Sequence, residues 1–204
     1  VKINRRAAAW VTGGGVTALL VSALALYAVQ RDADPSRIVP VDLTYESRTA
    51  IRPSEVPGAG NGLFAVRYIA QGEVIGELGG RLIDDDDPAA GNHYTAALSA
   101  CAMDLVPPYT RLDSVEHGGH VSRINFAPRT INGVPTHLQS AAIEQRCGPP
   151  YVVFVALRDI HPGEEILASY GPDYDYGFMQ RPDVRAYFCE AVQVDCSEDF
   201  AFEP

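Results

Sequence analysis

Signatures of covalent nucleophiles and of metals are missing from this chain of 204 residues. It has no GxSxG elbow, no HExxH pair and no cysteine–histidine nucleophile pattern, which disfavours a hydrolase. Its four cysteines, Cys101, Cys147, Cys189 and Cys196, lack the short paired spacing of a zinc site, so no metal is expected. A Cys189–Cys196 disulfide is permitted by the even count if the body lies outside the cytosol, but not required by it. His117 and His120 have no companion ligand set and read as loop histidines. The run Asp84–Asp87 before Pro88 matches neither a calcium loop nor a catalytic dyad, and reads as a solvated acidic loop. Internal repeats are absent as well.

Basic residues are few, 16 against 26 acids, for a net charge of −10. The imbalance is uneven, because residues 1–31 hold Lys2, Arg5, Arg6 and Arg31 and no acid. The remaining body is strongly acidic and repels phosphate backbones, so no direct nucleic-acid partner is expected. A basic partner would be attracted, although solubility alone also accounts for the charge.

From Ala7 to Val29 no charge interrupts the chain. Such a run is long enough to cross a ~30 Å hydrocarbon core as a helix. Trp10 and Tyr27 lie near its ends, where amphipathic rings favour headgroups. The reading carried forward is a retained single-pass membrane anchor over 1–29. A cleaved signal peptide, an organellar presequence and a buried core helix remain open. Positive charges flank both ends, so the side of the membrane holding the body stays undecided. Residues 30–42 read as a proline-punctuated linker, 43–192 as the main domain and 193–204 as a tail.

With 18 Gly and 15 Pro, the body favours short strands and turns over a helix bundle. Leu43–Ser47, Leu63–Tyr68, Glu73–Glu77, Tyr151–Leu157 and Ile166–Tyr170 have strand composition. Tyr151–Leu157 (YVVFVAL) is apolar throughout and predicts burial on both faces. Only Pro182–Val192 has convincing helical spacing, with Val184, Tyr187, Phe188 and Ala191 on one side.

Three constellations carry chemistry. GAGNGLFA at 58–65 opens a strand, not a helix, which excludes a dinucleotide loop. It is either a plain glycine turn or a backbone that a ligand can approach closely. LDSVEHGGHVSRINFAP at 112–128 sets Asn125 among apolar neighbours, where a buried amide must find partners. IHPGEEILASYG at 160–171 is a turn and a strand ending in Tyr170.

Together and in this order they resemble the SET-domain protein lysine methyltransferases, over about residues 44–190. The family's GxGxGLFA segment matches 58–65, and its "I…GE.I.E..G" matches IAQGEVIGELGG at 69–80. Its "iDa…GN..RFINHS" falls on Asp113 to Asn125, and its "a.rdI..GEEl…YG" on 156–171. The resemblance implies a mainly β fold, a β-clip with a pseudoknot, that brings Asn125 beside Tyr170, followed by a C-terminal helix. With the N-terminal helix, the whole would be a membrane-tethered enzyme. It implies S-adenosylmethionine as cofactor, held by Gly60, Asn61, Gly62, Leu63, Asn125 and Phe126. Tyr170 would be catalytic, and Tyr174, Tyr176, Phe178 and Tyr187 would line a channel for a lysine side chain. The implied substrate is a basic, lysine-containing protein or peptide. Phe126 and Ala127 stand where the family has His and Ser, and the zinc cysteines that follow many SET domains are absent. Those departures suggest the competing reading, an inactive SET-like module that binds protein.

Overall fold

Short apolar runs broken by glycine, proline and charge fold as short strands that curl around shared cores. The computed structural model describes residues 37–98, 109–172, 174–197 and 199–204. The chain divides into two units, Val1–Arg37 and Ile38–Pro204, and the second carries the elements below. Its strands are β1 (Ile38–Val39), β2 (Thr49–Pro53), β3 (Asn61–Ala65), β4 (Val74–Glu77), β5 (Gly80–Ile83), β6 (Thr95–Ala97) and β7 (Arg111–Asp113). They continue as β8 (Asn125–Phe126), β9 (Thr130–Ile131), β10 (Val134–Pro135), β11 (Ala141–Gln145), β12 (Val152–Ala156), β13 (Glu165–Ala168) and β14 (Phe202–Glu203). Among the described residues one α-helix, α1 (Pro182–Ala191), follows the Tyr170 segment.

The largest sheet runs β2-β3-β13-β11-β12-β4, and β8 pairs with β13 outside that path. A second sheet runs β1-β5-β7-β6, and a third β10-β9-β14. β13 is the hinge of the design. It is antiparallel to β3 and parallel to both β8 and β11, and all four of its residues are buried. Alternation along a strand sends neighbours to opposite faces. Ile166 and Ala168 accordingly join one core with Leu63, Ile75, Leu112 and Phe154. Leu167 joins a second core with Phe126, Met179, Val184 and Phe188. A strand buried on both faces reads as an unbroken apolar run, and β12 follows the same rule with Val152, Val153, Phe154 and Ala156 buried.

One expectation changes. Leu43–Arg48 is a 3-10 helix rather than a strand. The Asp42 carboxylate accepts from the Thr44 N–H at 2.9 Å, and the Ser47 hydroxyl donates to the Thr44 carbonyl at 2.8 Å. Local side-chain bonds of this kind compete with a strand ladder and prevail here. Within the expected linker, Ile38–Val39 pairs with β5, and within the expected tail Phe202–Glu203 pairs with β9. Cys189 and Cys196 form a disulfide that ties α1 to that tail.

The membrane assignment is corrected. The run Ala7–Val29 lies outside the described residues. Among the described residues no helix is long and apolar enough to cross a membrane. The single-pass anchor, the membrane partner and the membrane localisation are therefore withdrawn.

Helix α1 starts at Pro182, whose missing N–H costs nothing in a first turn, with Asp183 favourably placed beside the helix N-terminus. Gln193 takes a left-handed φ of 57° just past its end, and the Val194 N–H bonds back to the Cys189 carbonyl at 2.9 Å. Its buried side is Val184, Phe188 and Cys189, while Ala191 is exposed. Phe188→Ala should therefore cost about 3–5 kcal/mol of stability, whereas Ala191→Gln should change it by less than about 0.5 kcal/mol. Urea unfolding of the two variants checks the assignment of faces. Comparable losses in both would contradict it.

Candidate active site

The glycine-rich segment is shaped by one buried acid. Glu165, at the start of β13, is 8% exposed. Its carboxylate accepts from the Ser54 hydroxyl at 2.6 Å, the Glu55 N–H at 2.8 Å and the Asn125 amide at 3.1 Å. The turn at 54–60 closes on itself through the Ser54 N–H and the Gly60 carbonyl at 2.8 Å. Gly62, on β3, must lack a side chain, because a Cβ there would collide with the Glu165 carboxylate and come within 3.2 Å of the Asn125 amide nitrogen. Gly58 has φ +71°, a conformation that favours glycine, and a Cβ there would require the Arg181 guanidinium to move aside.

Asn125 is fixed by two acceptors. Its amide N–H groups donate to Glu165 and to the Asn61 carbonyl, both at 3.1 Å. Two acceptors facing the same group identify it as the NH2, so the carboxamide oxygen points the other way. That oxygen has no protein partner among the described residues. Parallel pairing sets Asn125 opposite Leu167 and Phe126 opposite Ala168. The strand then delivers Tyr170 to the same place, where its hydroxyl donates to the Ile124 carbonyl at 2.9 Å. Tyr170 and the Asn125 strand are thus locked together across 46 positions of sequence.

A cleft of about 560 Å³ opens over these groups. Gly60, Asn61, Asn125, Phe126, Tyr170, Tyr174 and Phe178 line it. Leu63 and Gly62 stand behind the lining; Leu63 is fully buried in the core. Phe126 is the hub of an aromatic cluster, with ring centroids 4.6 Å from Tyr176, 5.7 Å from Phe178 and 5.9 Å from Tyr170. Tyr176 supports that wall from outside the lining, with its hydroxyl on the Gly171 carbonyl at 2.7 Å. Tyr187 is also outside the lining and rests edge-on against Phe188. Burial, followed by the fields of Tyr174, Tyr94, Tyr176 and Glu165, pushes the Tyr170 phenol far above the ordinary tyrosine range. Burial raises Tyr174, Tyr176 and Tyr187 too. A phenol so placed keeps its proton, which it gives to the Ile124 carbonyl, leaves its oxygen lone pairs to accept, and does not act as a general base.

Glu165, Tyr94, His93 and Arg123 take part in this region and were not singled out by sequence reasoning. Glu165 carried a usable signal: an acid beginning the otherwise apolar strand EILA is either an edge residue or a buried acceptor. Tyr94 bonds the Arg123 guanidinium at 2.9 Å, and His93 bonds the Tyr174 hydroxyl at 3.1 Å. Their neighbourhood comes from the pairing of β6 with β7, which no local pattern announces.

Among solved structures, the chain is similar to the methyltransferase domain of human PR domain-containing protein 2. Identity is 19% and the TM-score 0.46, over 63% of this chain and 81% of that one. It is also similar to a chain of the Chaetomium thermophilum polycomb repressive complex 2 with H3K27me3 and H3K27M, at 23% identity and TM-score 0.48. That match covers 62% of this chain and only 15% of the other. The same complex, autoinhibited and bound to S-adenosylmethionine, matches at 21% identity and TM-score 0.46, over 70% and 16% of the two chains. SET methyltransferases use S-adenosylmethionine. The family model for the SET domain matches residues 60–171, from the glycine turn through Asn125 to Tyr170 and Gly171, and the chain belongs to the SET domain family.

Proposed function

We propose that this chain transfers a methyl group from S-adenosylmethionine to the lysine side chain of a protein or peptide. The observation that carries the reading is the bond between the Tyr170 hydroxyl and the Ile124 carbonyl, which sets a protonated phenol beside Asn125 at one cleft. The cleft suits the cofactor in size, since ligand pockets span roughly 300–1,000 Å³. The free carboxamide oxygen of Asn125 is an acceptor for an amino group, and the side-chain-free turn at Gly58–Gly60 admits close backbone contact. Arg181, over Gly58, offers a counter-charge to a carboxylate even while it also faces Asp183. Phe126 contributes main-chain groups, and its ring gives the cofactor an apolar, aromatic wall.

When bound, S-adenosylmethionine supplies a methyl on a sulfonium, already a good leaving group. The work left to the protein is alignment and exclusion of water. Tyr170 holds its hydroxyl toward the cleft and orients the acceptor nitrogen. Tyr174 and Phe178 form an apolar wall that disfavours an ammonium relative to a neutral amine, lowering a lysine from its usual pKa of ~10.4. Their ring faces also accommodate a methylated, cationic product. The acidic outer surface attracts a basic substrate. Phe126 and Ala127, in place of the family's His and Ser, are buried at 2% and 0% exposure, Phe126 among aromatic rings.

Tyr170→Phe should lower methyl transfer by about 10²-fold or more while S-adenosylmethionine binding, read by calorimetry, changes little. Wild-type rates in that variant would remove Tyr170 from the mechanism. No binding heat in the wild-type chain would instead favour the inactive, protein-binding module. Glu165→Ala strands the Asn125 amide, the Ser54 hydroxyl and the Glu55 N–H. It should weaken cofactor binding by about 1–3 kcal/mol, again by calorimetry, and unchanged affinity would refute the positioning role. The rate should rise with pH as the acceptor amine loses its proton. Since Tyr170 is shifted upward, it should add no falling limb below about pH 10, which a rate profile over pH 7–10 tests.

A further inference from the structure

The body is acidic, but no Asp or Glu is among the described residues that line the cleft. Its charged lining consists of Arg181 and Arg123. Arg181 faces Asp183, and arginines elsewhere, such as Arg81, Arg111 and Arg158, each face a carboxylate. Arg123 has no carboxylate partner among the described residues. Its guanidinium donates to the Tyr94 hydroxyl at 2.9 Å and lies 5.0 Å from the centre of the Tyr94 ring. Those contacts fix its direction without neutralising it. Thr95 and Ser114 also line the cleft.

We propose that Arg123 is a specificity residue that reads a carboxylate next to the target lysine of the acceptor. This rests on the methyl-transfer reading and names the class of its substrate. A peptide laid over Arg123 strips water from an isolated guanidinium, which is costly unless an anion replaces that water. An acceptor bearing only positive charge meets the additional repulsion of a like charge near its amine. A carboxylate beside the lysine removes both penalties and gains a charge-assisted, bidentate contact. Specificity here comes as much from rejecting neutral flanks as from attracting acidic ones. The long-range acidity of the body and the local cation in the cleft then select together. They favour a basic substrate whose target lysine has one acidic neighbour or ends the chain with its own carboxylate.

The test uses the full chain and two pairs of short acetylated peptides, each with one lysine. In the first pair the lysine is followed by Glu or by Gln, both amidated. In the second, the lysine is last and carries a free or an amidated carboxyl. Affinities are measured by calorimetry with and without S-adenosylhomocysteine, and methyl incorporation with S-adenosylmethionine. The carboxylate member of at least one pair should bind about tenfold more tightly than its neutral counterpart. Which pair responds distinguishes a side-chain from a C-terminal carboxylate. Arg123→Gln should erase the preference and Arg123→Lys should keep part of it, with cofactor heats like those of the wild type. Absence of preference in both pairs, or its survival in Arg123→Gln, overturns the proposal, as does failure of every peptide to bind. If the wild-type chain binds no cofactor, the methyl-transfer reading fails by itself. The peptide affinities measured without cofactor still decide the role of Arg123.

Discussion

One buried carboxylate holds the site together. Glu165 accepts from Ser54, Glu55 and Asn125 at once, so the glycine turn, the strand bearing the amide and the strand leading to Tyr170 share a single anchor. An acid in such surroundings is tolerable only when donors surround it, and here three do. The absence of a side chain at Gly62 is the matching constraint on the opposite strand. Each part exists because the others do, which is why the cleft lies where β3, β8 and β13 meet.

Around that anchor the molecule separates its charges. Carboxylates crowd the outside, while the cleft is walled by phenols, phenylalanines and two guanidinium groups. Aromatic rings replace polar contacts on the Phe126 side, where Tyr170, Tyr176, Phe178, Phe188 and Phe202 surround one ring. The wall is therefore cohesive through packing rather than through a hydrogen-bond network. The disulfide between Cys189 and Cys196 keeps the C-terminal segment against it.

Much of this was legible in the residues. The strand at Val152–Ala156 and the helix at Pro182–Ala191 follow from apolar runs and spacing. The three motif segments pointed to one family because their order is unusual. The 3-10 turn at Leu43–Arg48 was hidden because Asp42 and Ser47 reroute backbone bonding within a few residues. β5, β6 and β7 are short and were not anticipated, since their stability comes from partners distant in sequence. The same distance concealed Tyr94 and Arg123 as neighbours. Glu165 lay in plain view inside a quoted motif, but its role depends on three donors that only the folded chain assembles. Helix α1 was read on the right stretch, but its inner face is rotated toward Cys189 and away from Ala191.

The parallel pairing of β8 with β13 also sets an order on biosynthesis. As the chain leaves the ribosome, Ile124, Phe126 and Ala127 emerge well before the strand that will shelter them. Until residues 165–170 have followed, this apolar stretch has no partner and is open to chaperones or to misassociation. Nascent chains halted before Tyr170 should therefore be an aggregation-prone species of this protein, and the cleft cannot mature until residues 165–170 have emerged.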